Sequence, residues 1–115
     1  MVNLYVPDSG DLAWLDFDPQ AGHEQAGRRP ALVLSSKGFN QKAKLAFVCP
    51  ITSKIKGYAS EVLLPPGLPV SGVVLCSHLR SLDWLARNPV FIGKAPDDVL
   101  LEVREVVGSI AGITP

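Results

Sequence analysis

Two spacings of apolar residues divide the chain. Up to about residue 95 the apolar runs are short and interrupted by ten prolines and ten glycines in all, a punctuation that favours many short strands over long helices. The first predicted strand is Leu12–Phe17, bounded by Gly10 and Pro19. Leu12 and Trp14 share one of its faces, and Ala13, Leu15 and Phe17 share the other. Ala31–Ser36 reads as a second strand, buried on both faces, and Lys44–Ile51 as a third. Pro50 should mark the end of that third strand or an edge position, because proline has no N–H for a ladder. A fourth strand, Glu61–Leu64, stops at Pro65-Pro66-Gly67, and Gly72–Cys76 begins a fifth whose pattern can continue through His78 to Leu82. Phe91–Gly93 supplies a short edge, and Arg80–Asn88 carries a weak helical signal around Trp84.

The second spacing lies at the end. Pro96 sits at a helix start, and Asp97 and Asp98 follow where negative charge suits the helix dipole. Val99, Leu100, Val103, Val106, Val107 and Ile110 then recur with helical period, and Gly112 offers a stop. The pattern predicts a mainly β (α+β) fold, a small, strongly bent sheet or partial barrel with a C-terminal amphipathic helix packed on it. Its 115 residues, 47% hydrophobic and 19% charged, suit one domain spanning 1–115 with a proper core.

Other composition features narrow the class. The longest apolar run, Leu45–Cys49, is five residues, against the ~20 a spanning helix needs. Asp8 and Asp11 stand where a signal peptide would be basic, and two cysteines, Cys49 and Cys76, make no disulfide framework. A cytoplasmic protein with no membrane association is expected. Net charge is +0 but unevenly spread: residues 1–27 carry −5, residues 28–94 carry +8, and residues 95–115 carry −3. The basic middle suits a phosphate backbone, and it equally suits pairing with the acidic ends.

Chemistry concentrates in Asp18–Arg29, DPQAGHEQAGRR, a twelve-residue stretch without apolar period between the first two strands. Loops of that length inside a small domain are usually functional or disordered. This one holds a histidine, a glutamate, a glutamine and two arginines, the groups that acid/base chemistry on a phosphate requires.

The run YVPDSGDLAWLDFDPQAGHEQAGRRPALVLS, with Phe39-Asn40, Pro50–Thr52, Lys56–Tyr58, Gly72–Trp84 and Ala86-Arg87, resembles the MazF/PemK family of bacterial toxin endoribonucleases, closest to its MazF branch. The resemblance implies a small SH3-like, partly open β-barrel (PemK/CcdB-like) that forms homodimers. It also implies metal-free, cofactor-free cleavage of single-stranded RNA and a cognate MazE-like antitoxin that docks a disordered tail. The family's loop arginine falls on Arg29, its loop glutamate on Glu24, and its Thr/Ser after the proline on Thr52. Plasmid-borne members use a loop histidine, which would be His23. Where they carry an Arg, an Asp and a following Gln on a later strand, this chain has Leu75, Ser77 and His78.

Cleavage by the neighbouring 2′-hydroxyl needs a base, an acid and positive charge on the phosphorane. Arg29 suits the last role, since its fork matches two phosphate oxygens and stays charged. The same high pKa makes it a poor base, which leaves Glu24 or His23. The hydroxyl of Thr52 can donate to a phosphate oxygen. Arg28, Ser53, Lys54, Lys56, His78 and Arg80 are candidates for the RNA backbone. Gln25 and Asn40 can read base edges, although Asn40 can equally shape a turn. Cys76 and His78 are too few for a strong zinc site. Trp14 and Trp84 read as core or dimer contacts, and Cys49 and Cys76 as small core residues. Two rival functions stay open: a gyrase-poisoning toxin of the same fold, and a catalytically dead relative that binds RNA or antitoxin only.

Overall fold

A computed structural model describes residues 4–18 and 26–113. Seven antiparallel strands form one sheet: β1 (Asp11–Asp16), β2 (Arg28–Val33), β3 (Ala46–Thr52), β4 (Glu61–Leu63), β5 (Val73–Leu75), β6 (Arg80–Leu82) and β7 (Val90–Lys94). Their order is β4-β5-β3-β2-β1-β7, with β6 also paired to β3; β4 and β7, at the two ends, do not pair, so the sheet is open. Two helices complete it, α1 (Lys37–Ala43) and α2 (Asp97–Ile110).

Strict alternation in β1, β2 and β3 buries both faces of the sheet's middle. Leu12, Leu32, Cys49 and Ile51 point to one face, where Val99 and Val103 of α2 cover them. Leu15, Phe17, Ala31, Val33 and Val48 point to the other and pack with Leu82 and Trp84. Burying each such side chain contributes roughly 1.5–3 kcal/mol, and this apolar contact holds α2 on the sheet. The stripe on α2 ends sooner than its period suggested, because Ile110 is exposed. Gly112, at φ +73°, terminates the helix as expected, while the Ile113 N–H reaches back to Gly108 O at 2.8 Å.

Four details differ from the sequence pattern. First, β2 begins at Arg28 rather than Ala31, because Arg28, Arg29 and Pro30 pair with Asp16, Leu15 and Trp14 of β1. Second, α1 fills the stretch between the second and third predicted strands. Ser36 caps it, accepting from Phe39 N at 3.3 Å, and Lys44 closes it in the left-handed region.

Third, Pro50 lies inside β3. Phe47 O accepts from Leu34 N, so odd-numbered residues of β3 direct their polar groups to β2 and even-numbered ones to the opposite edge. On that edge Ile51 faces Val74 of β5 and Val48 faces Arg80 of β6, so the two residues between them on β3 are matched by five, Leu75–Leu79, on the facing side. The surplus forms a 3-10 turn at Cys76–His78. Pro50 therefore lacks its N–H where the ladder is already broken. Fourth, Trp14 is exposed, which removes the core reading for it and leaves that of a dimer contact, whereas Trp84 is buried and a 3-10 turn, Leu85–Arg87, follows it.

Asn40, a base-reading candidate, is fully buried in α1. Its side-chain amide donates to Pro7 O at 2.7 Å and Ser35 O at 3.1 Å, and its backbone carbonyl accepts from Trp84 Nε1 at 2.9 Å. It lies inside α1 and ties the N-terminal segment to that helix, so it neither reads a base nor shapes a turn. Asn40→Ala leaves Pro7 O and Ser35 O without that donor and should cost about 1–3 kcal/mol of unfolding free energy in a urea titration.

Candidate active site

The cleft begins where β2 and β3 run side by side. Ala31 faces Pro50 across that pair, and continuing the register two residues sets Arg29 opposite Thr52. Both side chains line one cleft of about 460 Å³, a volume in the usual range for ligand sites. Arg29 is half-buried, and its Nε donates to Ala26 O at 2.7 Å, which orients the guanidinium. Thr52 is 8% exposed. Its Oγ1 accepts from Lys54 N at 3.2 Å, an acceptor role that keeps the hydroxyl proton for a ligand oxygen.

Behind Thr52 stands Gly72, at φ +118°, where a Cβ would lie 2.1 Å from Thr52 O. Only glycine fits both that backbone angle and that approach. Beyond Thr52 the chain leaves the sheet, and Ser53, Lys54, Lys56, Tyr58 and Ser60 form one wall. Glu61, at the start of β4, fastens this wall by accepting from Lys56 N at 3.1 Å and Gly57 N at 2.9 Å. The 3-10 turn opposite Pro50 supplies Ser77 and His78, and Leu75 adds an apolar patch. Three cations therefore face the cleft with one carboxylate, and that carboxylate is bound to backbone N–H groups.

A second group of side chains holds the ends of the loop that enters β2. Phe17 N donates to Gly27 O at 2.8 Å and Gly27 N to Asp18 Oδ1 at 3.0 Å. Arg80 donates to Phe17 O at 3.0 Å with its guanidinium over the Phe17 ring, and Arg87 donates to Asp18 O at 2.6 Å. Asp16 accepts from Asn88 Nδ2 at 2.7 Å and Arg28 Nη1 at 3.0 Å, and these partners, Asn88 foremost, hold its carboxyl below the usual carboxylate range.

Comparison of the whole chain with known proteins gives its family and fold. The family model described as "PemK-like, MazF-like toxin of type II toxin-antitoxin system" matches residues 8–111. The chain belongs to this family. A relative from Escherichia coli strain K12, named "Endoribonuclease toxin MazF", is 41% identical over 112 residues, 97% of this chain and all of the relative. A crystal structure of MazF from Deinococcus radiodurans superposes with TM-score 0.92 at 58% identity, covering 94% of this chain and 98% of that one. A MazE-MazF structure from the same organism gives TM-score 0.86 at 55% identity, covering 96% of this chain and 100% of that one. The open sheet with its terminal helix is thus the MazF fold, as the resemblance implied.

For a MazF-like chain, the sequence candidates divide cleanly. Arg29, Thr52, Ser53, Lys54, Lys56 and His78 meet in the cleft. Arg28 and Arg80 do not line it; Arg28 is paired with Asp16 and Arg80 braces the loop stem. Asn40 is in the core. His23, Glu24 and Gln25 lie outside the described residues.

Tyr58, Ser60 and Glu61 were not singled out as site residues. The Lys56-Gly57-Tyr58 run was the signal available for Tyr58, since Gly57 adopts φ +78° to make the turn. Cys49 and Cys76 are buried, and burial, with a contribution from Glu102, pushes the Cys76 thiol up to about 11. Both are thiols in the core rather than thiolate ligands. Among the described residues, no three His, Cys, Asp or Glu side chains cluster to hold a metal ion.

Gly72→Ala tests the support of Thr52. The added methyl must displace the Thr52 backbone, so a loss of roughly 2–4 kcal/mol in unfolding free energy is expected. A chevron or urea curve matching the parent protein would show that the close approach does not exist.

Proposed function

We propose that this chain is the toxin of a type II toxin–antitoxin pair and that it cleaves single-stranded RNA in the cytoplasm. The observation that carries the reading is the meeting of Arg29 and Thr52 in one cationic cleft. Its relatives are named as endoribonucleases, and MazF is solved with MazE, so a MazE-like antitoxin is the expected partner. The family resemblance supports a homodimer as the working form. Among the described residues no helix is long and apolar enough to cross a membrane.

The residues present suit transesterification within the RNA itself. The ribose 2′-oxygen attacks the adjacent phosphorus, the bond to the 5′-oxygen breaks, and the ends are a 2′,3′-cyclic phosphate and a 5′-hydroxyl. Glu24 or His23 takes the 2′ proton, and an acid returns one to the leaving oxygen. Arg29 stabilises the charge that builds on the equatorial oxygens, and Thr52 donates a hydrogen bond to one of them. Lys54 and Lys56 guide the backbone, with Ser53 and His78 beside them. Base identity is read from unstacked nucleotides, a mode single strands allow, with Gln25 as a reader.

Incubation of chelator-treated protein with mixed-sequence RNA, followed by end mapping, tests the reading. Cyclic phosphate and 5′-hydroxyl ends are expected. Arg29→Ala should slow cleavage about 100-fold or more while changing unfolding free energy by less than about 1 kcal/mol. Normal cleavage by Arg29→Ala would remove the site assignment. Gyrase-dependent DNA breakage without RNA cleavage would favour a protein-binding toxin instead.

A further inference from the structure

One aromatic in the cleft wall has no structural duty to explain its position. Tyr58 is 62% exposed, yet it stands in the wall of the same cleft as Arg29 and Thr52. Exposure of that extent gives the ring little part in the core, so its apolar face is offered to something in the cleft. We propose that Tyr58 is the stacking platform for a nucleobase of the bound strand, with Lys56 taking the phosphate beside that base. The proposal rests on the endoribonuclease reading and assigns a subsite within it.

Two observations support the subsite. Lys56 Nζ lies 5.9 Å from the Tyr58 ring centroid, so the ammonium covers at most one face and a cation stands next to the platform. That pairing of aromatic ring and positive charge is what sequence-tolerant single-strand sites use: the ring holds any base by its π-face, and the charge follows the backbone.

The turn that presents Tyr58 is also built. Glu61 clasps the N–H groups of Lys56 and Gly57, Gly57 takes φ +78°, and the Glu61 N–H returns to Tyr58 O at 3.0 Å. Glu61 pairs in turn with Leu75 across β4 and β5, which joins the platform to the sheet. The backbone that carries Tyr58 is thus held before RNA arrives, so the ordering cost on binding is confined to the side chain. In this arrangement Glu61 is a positioning residue.

The test uses a single-stranded RNA with 2′-deoxyribose at the scissile position and 2-aminopurine substituted at each base in turn, bound to full-length protein. With the parent protein, stacking should quench one 2-aminopurine position strongly. Tyr58→Ala should weaken binding roughly 10- to 100-fold and abolish that quench, with an unchanged melting temperature. Tyr58→Phe should preserve both. Glu61→Gln should weaken the quench less than Tyr58→Ala, because the amide oxygen still accepts.

Parent-like binding and quenching by Tyr58→Ala would overturn the proposal. So would a Tyr58→Phe defect as large as that of Tyr58→Ala, because a hydroxyl contact would then be responsible. These failures differ from failure of the functional reading. In that case the unmodified RNA would not be cut by the parent protein, and Arg29→Ala would make no difference.

Discussion

Everything at the cleft depends on the register between β2 and β3. Ala31 against Pro50, Leu32 against Cys49 and Val33 against Val48 set that register, and all six side chains are buried. A slip of one residue would turn each of them to the wrong face, sending Leu32 and Cys49 out of one core cluster and Val33 and Val48 out of the other. The apolar contacts of the sheet therefore decide which polar residues meet two positions further on. Arg29 and Thr52 come to line one cleft because the core beneath them admits one alignment.

The other walls follow from how β3 ends its pairing. Its outer edge is shared by β6 and β5, and the surplus between them becomes the turn that delivers Ser77 and His78. Pro50 sits at this break without losing a ladder bond, and Gly72 lets the start of β5 approach the Thr52 carbonyl. At the far side Arg80 and Arg87 fasten the carbonyls of Phe17 and Asp18, fixing where the loop leaves β1. Cations that the sequence offers to a polyanion are thus divided between cleft and scaffold. Charge along a chain does not announce that division; hydrogen-bond partners do.

Period and punctuation made much of the sheet legible. Strands bounded by glycine or proline, such as Leu12–Phe17 and Gly72–Cys76, lie close to their predicted places. The terminal helix was clear because one stripe and its proline and glycine ends agreed. The misses share a cause, namely that tertiary partners overrode local signals. Arg28–Pro30 is a strand only because β1 lies beside it, and α1 is too short for its period to show. Asn40 shows that an amide in the sequence carries no sign of whether its partner is a base or a buried carbonyl. Tyr58 gained its interest from exposure and from the Glu61 clasp, neither of which spacing can display.

The central claim is that Arg29 and Thr52 act on one phosphate. A double-mutant cycle on single-turnover RNA cleavage measures it, with Arg29→Ala, Thr52→Val and the double variant compared with the parent. If both groups hold the same phosphorane, Thr52→Val should cost about 10-fold alone but less than about 3-fold when Arg29 is already absent. Losses that simply multiply would mean the two side chains act independently, and the account of the cleft would be wrong.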